Sequence, residues 1–217
     1  MDSASKPFFE LRNSRLGPAL VKALESRHFE AAYFEDIPEA VEKIFGFIPK
    51  EHVISWGGSM TGKAMNLYEE AAKRGYKLID RAAAKTPEER TELMRQGLFC
   101  DTYLMGTNAL SEDGELVNID AYGNRVAALC FGPRQVIVVA GINKTAKTLD
   151  EAIVRARTIA APINAQRFPD YKTPCNSFGS CRDCKNPDSI CSHIVITRLC
   201  KPKGRIKVII IGQNLGF

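Results

Sequence analysis

The sequence lacks any apolar run long enough to cross a membrane. Its longest apolar stretches, residues 136–142 and 208–211, have the length of strands, whereas a transmembrane helix needs about 20 residues. The first residues, 1–6, are polar and lack the apolar core of a secretory signal peptide. With 45% apolar, 25% charged and 8% aromatic residues, the composition excludes collagen-like, coiled-coil and disordered chains. We therefore expect a cytoplasmic globular protein without a membrane span.

Positive charge is concentrated towards the end of the sequence. Residues 163–207 contain nine Lys or Arg and three Asp, a net charge of +6, whereas the rest of the chain carries −1. A basic segment of this kind attracts nucleic acids or smaller anions. Few aromatic residues are interleaved with these charges, so the segment lacks the stacking surface typical of nucleic-acid binding. We therefore expect a small anionic substrate and no nucleic acid.

Helix-like and strand-like patterns alternate through the first 160 residues. The apolar runs 52–56 and 136–140 predict strands, and the amphipathic segments 61–73 and 148–166 predict helices. The run 136–140 lacks alternation, as is typical of a strand buried on both faces of a parallel sheet. This order predicts an α/β fold with an open, three-layer sheet. We expect a single domain over residues 1–217, with residues 170–192 as a cysteine-rich loop within it.

Four of the seven cysteines lie in that loop, with the spacing C-x5-C-x2-C-x6-C: Cys175, Cys181, Cys184 and Cys191. Intracellular proteins rarely keep disulfides, so clustered thiols favour a metal site. Irregular spacing with one C-x2-C pair suits an iron–sulfur cluster, whereas structural zinc usually has two short chelating pairs. A 4Fe–4S cluster, zinc and a set of unliganded thiols all remain open at this stage.

A glycine-rich loop follows the predicted strand at residues 52–56. Residues 57–64 match a phosphate-binding loop until Ala64, which stands where Ser or Thr would coordinate magnesium. Neither later apolar strand ends in the acidic metal ligand of nucleotide hydrolases, so we do not expect nucleotide hydrolysis. The loop is either a tight turn or an anion site. The candidate anion-binding residues are Gly57, Gly58, Ser59 and Thr61.

Residues 106–125 are unusually polar for a segment between predicted core strands. Amide groups recognise carboxylates and hydroxyls, and an arginine can hold a carboxylate through two hydrogen bonds. The candidate ligand-binding residues are Asn108, Asn118, Asn124 and Arg125. The candidate general acids or bases are Glu112, Asp113 and Asp120. Ordinary turn chemistry accounts for Asp113-Gly114, a hairpin signal, but not for the remaining cluster.

In combination these motifs resemble the LUD (lactate utilisation) domain family. The resemblance lies in Gly106-Thr107-Asn108-Ala109-Leu110, Asn118-Ile119-Asp120, Gly123-Asn124-Arg125-Val126-Ala127-Ala128 and the glycine loop at residues 55–61. Thr173-Pro174-Cys175, the three later cysteines of the loop and residues 204–217 resemble a subgroup with a C-terminal cysteine loop. The resemblance implies a fold similar to that of ribose-phosphate isomerases, CoA-transferases and glucosamine-phosphate deaminases. It also implies ligands at the strand ends, near residues 57–61 and 106–125.

The function that the resemblance implies is iron–sulfur-dependent oxidation of L-lactate, or a similar 2-hydroxy acid, to pyruvate. The chain has one four-cysteine set and no dinucleotide-binding fingerprint, so electrons would pass to a redox partner protein. Two other hypotheses stay open. One is a non-redox enzyme acting on a sugar phosphate or acyl-CoA, with structural zinc in the cysteine loop. The other is a non-catalytic subunit that binds a partner through its basic surface. Self-association into a homo-oligomer also stays open.

Overall fold

Ten strands and nine α-helices make up this computed structural model, which describes residues 4–217. The strands are β1 (Glu30–Phe34), β2 (Val53–Trp56), β3 (Lys77–Ile79), β4 (Thr102–Gly106), β5 (Ala109–Ser111), β6 (Leu116–Asp120), β7 (Gln135–Gly141), β8 (Thr145–Ala146), β9 (His193–Thr197) and β10 (Ile206–Ile211). The helices are α1 (Lys6–Ser26), α2 (Ile37–Gly46), α3 (Met60–Ala64), α4 (Leu67–Lys73), α5 (Pro87–Gln96), α6 (Asn124–Cys130), α7 (Leu149–Arg155), α8 (Ala161–Ala165) and α9 (Pro174–Phe178).

The central sheet has six strands in the order β1-β10-β7-β4-β2-β3. Every pairing in it is parallel. All seven residues of β7, at the middle of the sheet, are buried, which explains why this segment is apolar without alternation. Helices α1 and α6 pack on one face of the sheet, and α2 and α4 pack on the other. The predicted open, three-layer α/β fold is therefore confirmed.

A second, smaller sheet has the order β8-β5-β6-β9. Strands β5 and β6 form an antiparallel hairpin around Gly114, whose φ of +90° suits glycine. The sequence predicts this hairpin turn, and the structure confirms it. Strand β9 pairs antiparallel with β6, so the chain that leaves the cysteine loop runs beside the polar segment. Apolar patterns in the sequence predict strands but do not indicate that these four belong to a second sheet.

Two predicted helices differ in detail from the structure. The expected helix at residues 61–73 is broken into α3 and α4, because Asn66 has a left-handed φ of +52°, which asparagine tolerates better than most residues. The expected helix at 148–166 consists of α7, one π-helical turn at Ala156–Ala160, and α8. Its predicted start is confirmed, since Thr148 forms a capping box with Glu151.

Across the part of the chain that the structure describes, no helix combines the length and the apolar character that crossing a lipid bilayer requires.

The segment after β10 is held across the carboxyl ends of the parallel strands. Leu215 N donates to Asn143 Oδ1 at 3.0 Å, and Leu215 O accepts from Thr61 Oγ1 at 3.1 Å. Gly141, at the end of β7, leaves room for this crossing: a Cβ there would lie 2.5 Å from Leu215 N and 2.7 Å from Gln213 O.

The substitution Gly141→Ala should therefore lower the free energy of unfolding by about 1–3 kcal/mol, because a backbone segment would have to move away from the new methyl group. Urea denaturation measures the change. Gly46→Ala is the matched control, since a Cβ at Gly46 meets no atom within 4 Å. It should leave stability unchanged or raise it by up to about 1 kcal/mol. Equal effects of the two substitutions would contradict this account of Gly141.

Candidate functional site

A pocket of about 270 Å³ opens at the carboxyl ends of the parallel strands. The chain leaves β2 for the edge strand β3 and then returns to β4 on the other side of β2. The loops after β2 and β4 therefore diverge, and such a switch point is where open α/β sheets bind ligands. Gly58 and Ser59 follow β2, and Thr107 and Asn108 follow β4; all four residues line the pocket.

The structure brings six of the predicted ligand-binding and acid–base residues to this pocket. They are Gly58, Ser59, Asn108, Asp120, Asn124 and Arg125. The glycine loop and the polar segment thus meet at one place, although nearly 50 residues of sequence separate them. Their contact is close: a Cβ on Gly106 would lie 2.6 Å from Ser59 Oγ, and a Cβ on Gly57 would lie 2.7 Å from Arg125 Cδ. Gly57 therefore provides space behind the pocket wall rather than lining it.

Arg125, at the start of α6, holds the polar segment together. Its Nη1 donates to Gly106 O and to Asn118 Oδ1, both at 2.8 Å. Its Nη2 donates to Asn108 Oδ1 at 2.9 Å and to Ile119 O at 2.7 Å. The side chain is buried, and burial lowers the pKa of the guanidinium, an effect that the nearby Asp120 carboxylate opposes.

These four hydrogen bonds change the predicted role of Arg125. Both Nη atoms point at acceptors of the protein itself, so they are engaged before any ligand arrives. The expected two-pronged grip on a ligand carboxylate needs the same donors. Arg125 therefore positions the loops that follow β4 and β6, and the ligand-facing cations must be sought elsewhere in the pocket.

Asp120, at the end of β6, is the one carboxylate side chain among the described residues of the pocket. Its Oδ2 accepts from the backbone N–H groups of Arg125 at 2.9 Å and Val126 at 3.2 Å. These bonds fix the carboxyl group at the first turn of α6 and direct it into the pocket. Of the three predicted acid–base residues, Asp120 is the one placed where a ligand can bind.

The other two predicted acid–base residues lie away from the pocket. Glu112 and Asp113 occupy the turn between β5 and β6, at the opposite end of the hairpin from Asp120. Glu112 forms an ion pair with Lys147 at 2.6 Å, and Asp113 forms one with Arg27. The structure assigns both carboxylates a surface pairing role.

Two predicted ligand-binding residues are fully buried behind the pocket. Thr61 has no exposed surface, and its hydroxyl is used by Leu215 O. Asn118 is also fully buried. Its Oδ1 accepts from Arg125, and its Nδ2 has no hydrogen-bond partner among residues 4–217. Both residues support the site from within the core.

Sequence reasoning missed most of the positive charge of the pocket. Four cationic side chains besides Arg125 line it: Arg81, Arg90, Lys144 and Arg167. Arg81 and Lys144 follow the carboxyl ends of β3 and β7, so the same strand-end rule that identified Ser59 could have identified them. Arg90 and Arg167 reach the pocket from α5 and from the end of α8, and no local pattern marks them.

Lys144 is the most deeply buried of these newly found cations, with 4% of its surface exposed. Its Nζ donates to Thr107 O at 3.0 Å, and it forms no ion pair with any carboxylate of residues 4–217. Burial, with the positive charges of Arg155 and Arg125, lowers the pKa of Lys144 to about 7. Near pH 7, the charged and neutral forms of this amine are therefore present in similar amounts.

The four loop cysteines influence one another electrostatically. Burial raises the pKa of Cys175, and Cys181 and Cys184 raise it further. The pKa of Cys191 rises to about 11, first through burial and then through Cys175, Cys181 and Cys184, while Arg157 opposes the shift. All four are free thiols. Among the described residues, however, no three His, Cys, Asp or Glu side chains are grouped closely enough to hold a metal ion.

The cysteine loop and the pocket share a wall. Cys175 and Ile190 belong to one buried apolar cluster, against which Phe168 and Tyr171 pack. Ile190, Phe168 and Tyr171 also line the pocket. Ala121, which follows β6, packs against the same cluster, so the polar segment faces the cysteine loop across this wall.

The comparisons with known proteins define the family. A model of the LUD domain matches residues 18–211, and the chain therefore belongs to the LUD domain family, which is associated with lactate utilisation. No curated protein matches the sequence significantly.

One solved structure supports the fold. The chain is similar to a DUF162 family protein from Deinococcus radiodurans, with a TM-score of 0.53, 11% identity, and coverage of 92% of this chain and 98% of that one. Ribose 5 phosphate isomerase A from Neisseria gonorrhoeae is similar over 51% of this chain and 52% of its own, with 18% identity and a TM-score of 0.33. 5-Methylthioribose 1-phosphate isomerase from Pyrococcus horikoshii is similar over 50% of this chain and 38% of its own, with 16% identity and a TM-score of 0.29.

Arg125→Lys should destabilise the protein by about 2–4 kcal/mol, because one ammonium cannot satisfy the four buried acceptors of the guanidinium. Urea denaturation measures the change in the free energy of unfolding. Arg95→Lys, on the exposed side of α5, is the control and should change stability by less than about 0.5 kcal/mol. A similarly small effect of Arg125→Lys would show that the network contributes little.

Proposed function

We propose that this protein is the component of a lactate-oxidising system that binds a small 2-hydroxy acid in the pocket and passes its electrons through the cysteine loop to a partner protein. The observation that carries the proposal is the shared wall: Phe168, Tyr171 and Ile190 contact both the pocket and the apolar cluster around Cys175. A ligand in the pocket would therefore lie beside the only part of the described chain that concentrates soft metal ligands. We also propose that the protein acts in the cytoplasm and that it belongs to the subgroup of the family with a C-terminal cysteine loop.

The charge of the pocket supports a carboxylate ligand. Five cationic side chains line it against the single carboxylate side chain of Asp120, so an anion entering the pocket meets a net attractive field. Asp120 accepts two N–H groups through Oδ2, and its carboxylate is the candidate acceptor for the proton of the substrate hydroxyl. Oxidation of a 2-hydroxy acid to a 2-oxo acid releases two electrons and two protons. Asp120 would receive the hydroxyl proton, the proton from C2 would pass to solvent, and the two electrons would leave one after the other through the cysteine loop to the partner protein, which is the oxidant.

The chemistry of the cysteine loop supports an iron–sulfur cofactor. Cys175, Cys181, Cys184 and Cys191 would hold it, and a 4Fe–4S cluster, when bound, accepts electrons one at a time. Burial and the neighbouring thiols raise the pKa of Cys175 and of Cys191. A bound cation relieves this situation, since a metal replaces the protons and offsets the clustered negative charge. Their present arrangement is open rather than closed around a common centre, so binding would draw the loop together.

A second candidate function is non-redox chemistry on a phosphorylated or acyl-CoA substrate. The surplus of cations that suits a carboxylate also suits a phosphoryl group. In this case the four cysteines would bind zinc as a structural ion. A third candidate, a non-catalytic subunit, predicts that a partner binds the basic surface and that the pocket performs no turnover. The metal content of the cysteine loop separates the first candidate from the second.

Protein purified without oxygen and reconstituted with iron and sulfide should gain both elements in equal amounts, together with broad visible absorption. Cys184→Ser should lose most of this gain, because it removes one of four thiolate ligands. Elemental analysis and absorption spectroscopy make the measurement.

Cys130→Ser is the matched control. Cys130 is an exposed free thiol on α6, outside the cysteine loop, and its loss should leave the iron and sulfide content unchanged. Stoichiometric zinc that resists reconstitution would contradict the iron–sulfur proposal and favour the non-redox candidate.

Asp120→Asn should slow lactate-dependent reduction of an artificial electron acceptor by about 100-fold or more, because the amide cannot accept the hydroxyl proton. The amide oxygen can still accept the N–H groups of α6, so the fold should persist and pyruvate affinity should stay within about threefold. Steady-state kinetics of the reconstituted protein provide the readout. Glu112→Gln, at the far end of the hairpin, should leave the rate unchanged. No lactate-dependent reduction by the reconstituted wild type would refute the proposed activity.

A further inference from the structure

The pocket contains a buried lysine that forms no ion pair with any carboxylate side chain in the described part of the chain. Lys144 belongs to the short turn after β7, and this strand end directs its side chain into the core of the site rather than to solvent. An amino group has three N–H donors when it is charged, and the structure supplies one acceptor, Thr107 O, at 3.0 Å. The remaining donors are available to a ligand in the pocket that Lys144 lines.

The charges around Lys144 are predominantly positive. Arg125 approaches Lys144 from α6, and Arg155 approaches it from α7. Arg155 Nη1 donates to Asn108 O at 2.6 Å. The positive charges of both guanidinium groups disfavour the charged form of Lys144. Around the rest of the pocket stand Arg81, Arg90, Arg167, the Asp120 carboxylate and Phe217. The segment that precedes Phe217 lies against Lys144, since a Cβ on Gly216 would be 3.3 Å from Nζ. The carboxylate of Asp120 is already held by the N–H groups of α6.

A bound anion would offset the excess positive charge around Lys144. Without one, the ammonium form of Lys144 has little exposure to solvent and no ion pair with a carboxylate side chain of the described residues, so its protonation is disfavoured. A carboxylate placed against Nζ supplies the missing charge and restores the ammonium form. Binding of the anion and binding of a proton then favour each other, as thermodynamic linkage requires.

We propose that Lys144 is the principal anion-binding residue of the pocket, and that it takes up a proton from solvent when the carboxylate of a 2-hydroxy or 2-oxo acid binds. In this step the neutral amine takes one proton from a solvent or buffer acid, which forms one N–H bond and leaves the conjugate base in solution. The resulting ammonium pairs with the carboxylate, and no other bond changes. The inference deepens the proposed function by naming the residue that recognises the substrate carboxylate. It does not depend on the cofactor, since binding is measured without turnover.

Calorimetric titration with pyruvate tests the proposal in the 217-residue chain. At pH 8, titrations in Tris and in HEPES, which differ in ionisation enthalpy, should report uptake of about one proton for each pyruvate bound, because most of the amine is neutral in the free protein at that pH. The dissociation constant should rise about tenfold from pH 8 to pH 9. A dissociation constant that does not change over this range would overturn the proposal.

Two variants of Lys144 separate charge from structure. Lys144→Met keeps the length of the side chain without the amine, and it should weaken pyruvate binding at least about tenfold. Lys144→Arg carries a permanent cation, so it should bind pyruvate without proton uptake and without the steep pH dependence. Lys147→Met, which removes an exposed ammonium three residues away, is the matched control and should behave as wild type. Equal affinity and equal proton uptake in Lys144→Met would refute the role of Lys144.

The stability of the ligand-free protein provides a second test. In the unfolded chain Lys144 regains an ordinary pKa near 10, whereas the folded value is about 7. The unfolded state therefore binds more protons between about pH 7 and pH 10, and the contribution of Lys144 to stability rises with pH across that window. Wild type should gain stability relative to Lys144→Met between pH 7 and pH 10. The absence of this gain would show that Lys144 is not held in an environment that disfavours its charge.

Inorganic phosphate serves as the comparison anion. If phosphate binds with the same proton uptake and pyruvate does not bind, the anion site on Lys144 is retained but the carboxylate assignment fails, together with the 2-hydroxy acid of the proposed function. If pyruvate binds as expected but iron is never incorporated, the role of Lys144 stands and the redox function fails. If neither anion binds to wild type, the proposal for Lys144 fails.

Discussion

The buried guanidinium of Arg125 is the interaction on which the architecture of the site depends. It joins the end of β4 to the end of β6 through acceptors on Gly106, Asn108, Asn118 and Ile119, and it thereby fixes the second sheet against the central one. A buried charge is costly unless nearly all of its donors are satisfied, so the surrounding loops have little freedom to move independently. The position of the pocket between two sheets is a direct consequence.

This arrangement couples two regions that are distant in sequence. Strand β9 follows the cysteine loop and pairs with β6, with His193 opposite Asp120, so the loop is held beside the polar segment. Ile190 and Tyr171 then face both the pocket and the cluster around Cys175. An anion in the pocket and a metal in the loop would each change the electrostatic potential felt by the other. Such proximity is what the proposed combination of substrate binding and electron transfer requires.

The sequence predicted the parts of the molecule that local pattern determines. Apolar runs, caps and the turn at Gly114 identified the strands, the helix starts and the hairpin. The glycine-rich loop identified Ser59, and the polar character of residues 106–125 identified Asn108. The rest depends on tertiary packing. Sequence proximity to Asp120 made Asp113 a candidate base, but the two lie at opposite ends of the β5–β6 hairpin. Arg167 reaches the pocket only because α8 packs beside the second sheet, and no local signal encodes that placement.

On the proposed function, ligand and cofactor would occupy neighbouring positions on either side of the apolar wall formed by Phe168, Tyr171 and Ile190. Electron–nuclear double resonance on reconstituted, reduced protein with carbon-13-labelled pyruvate measures this proximity directly. The account predicts a resolved carbon-13 hyperfine coupling to the paramagnetic centre that disappears when unlabelled pyruvate displaces the labelled ligand. A paramagnetic centre that shows no coupling to saturating labelled pyruvate would place the two sites apart and contradict the account.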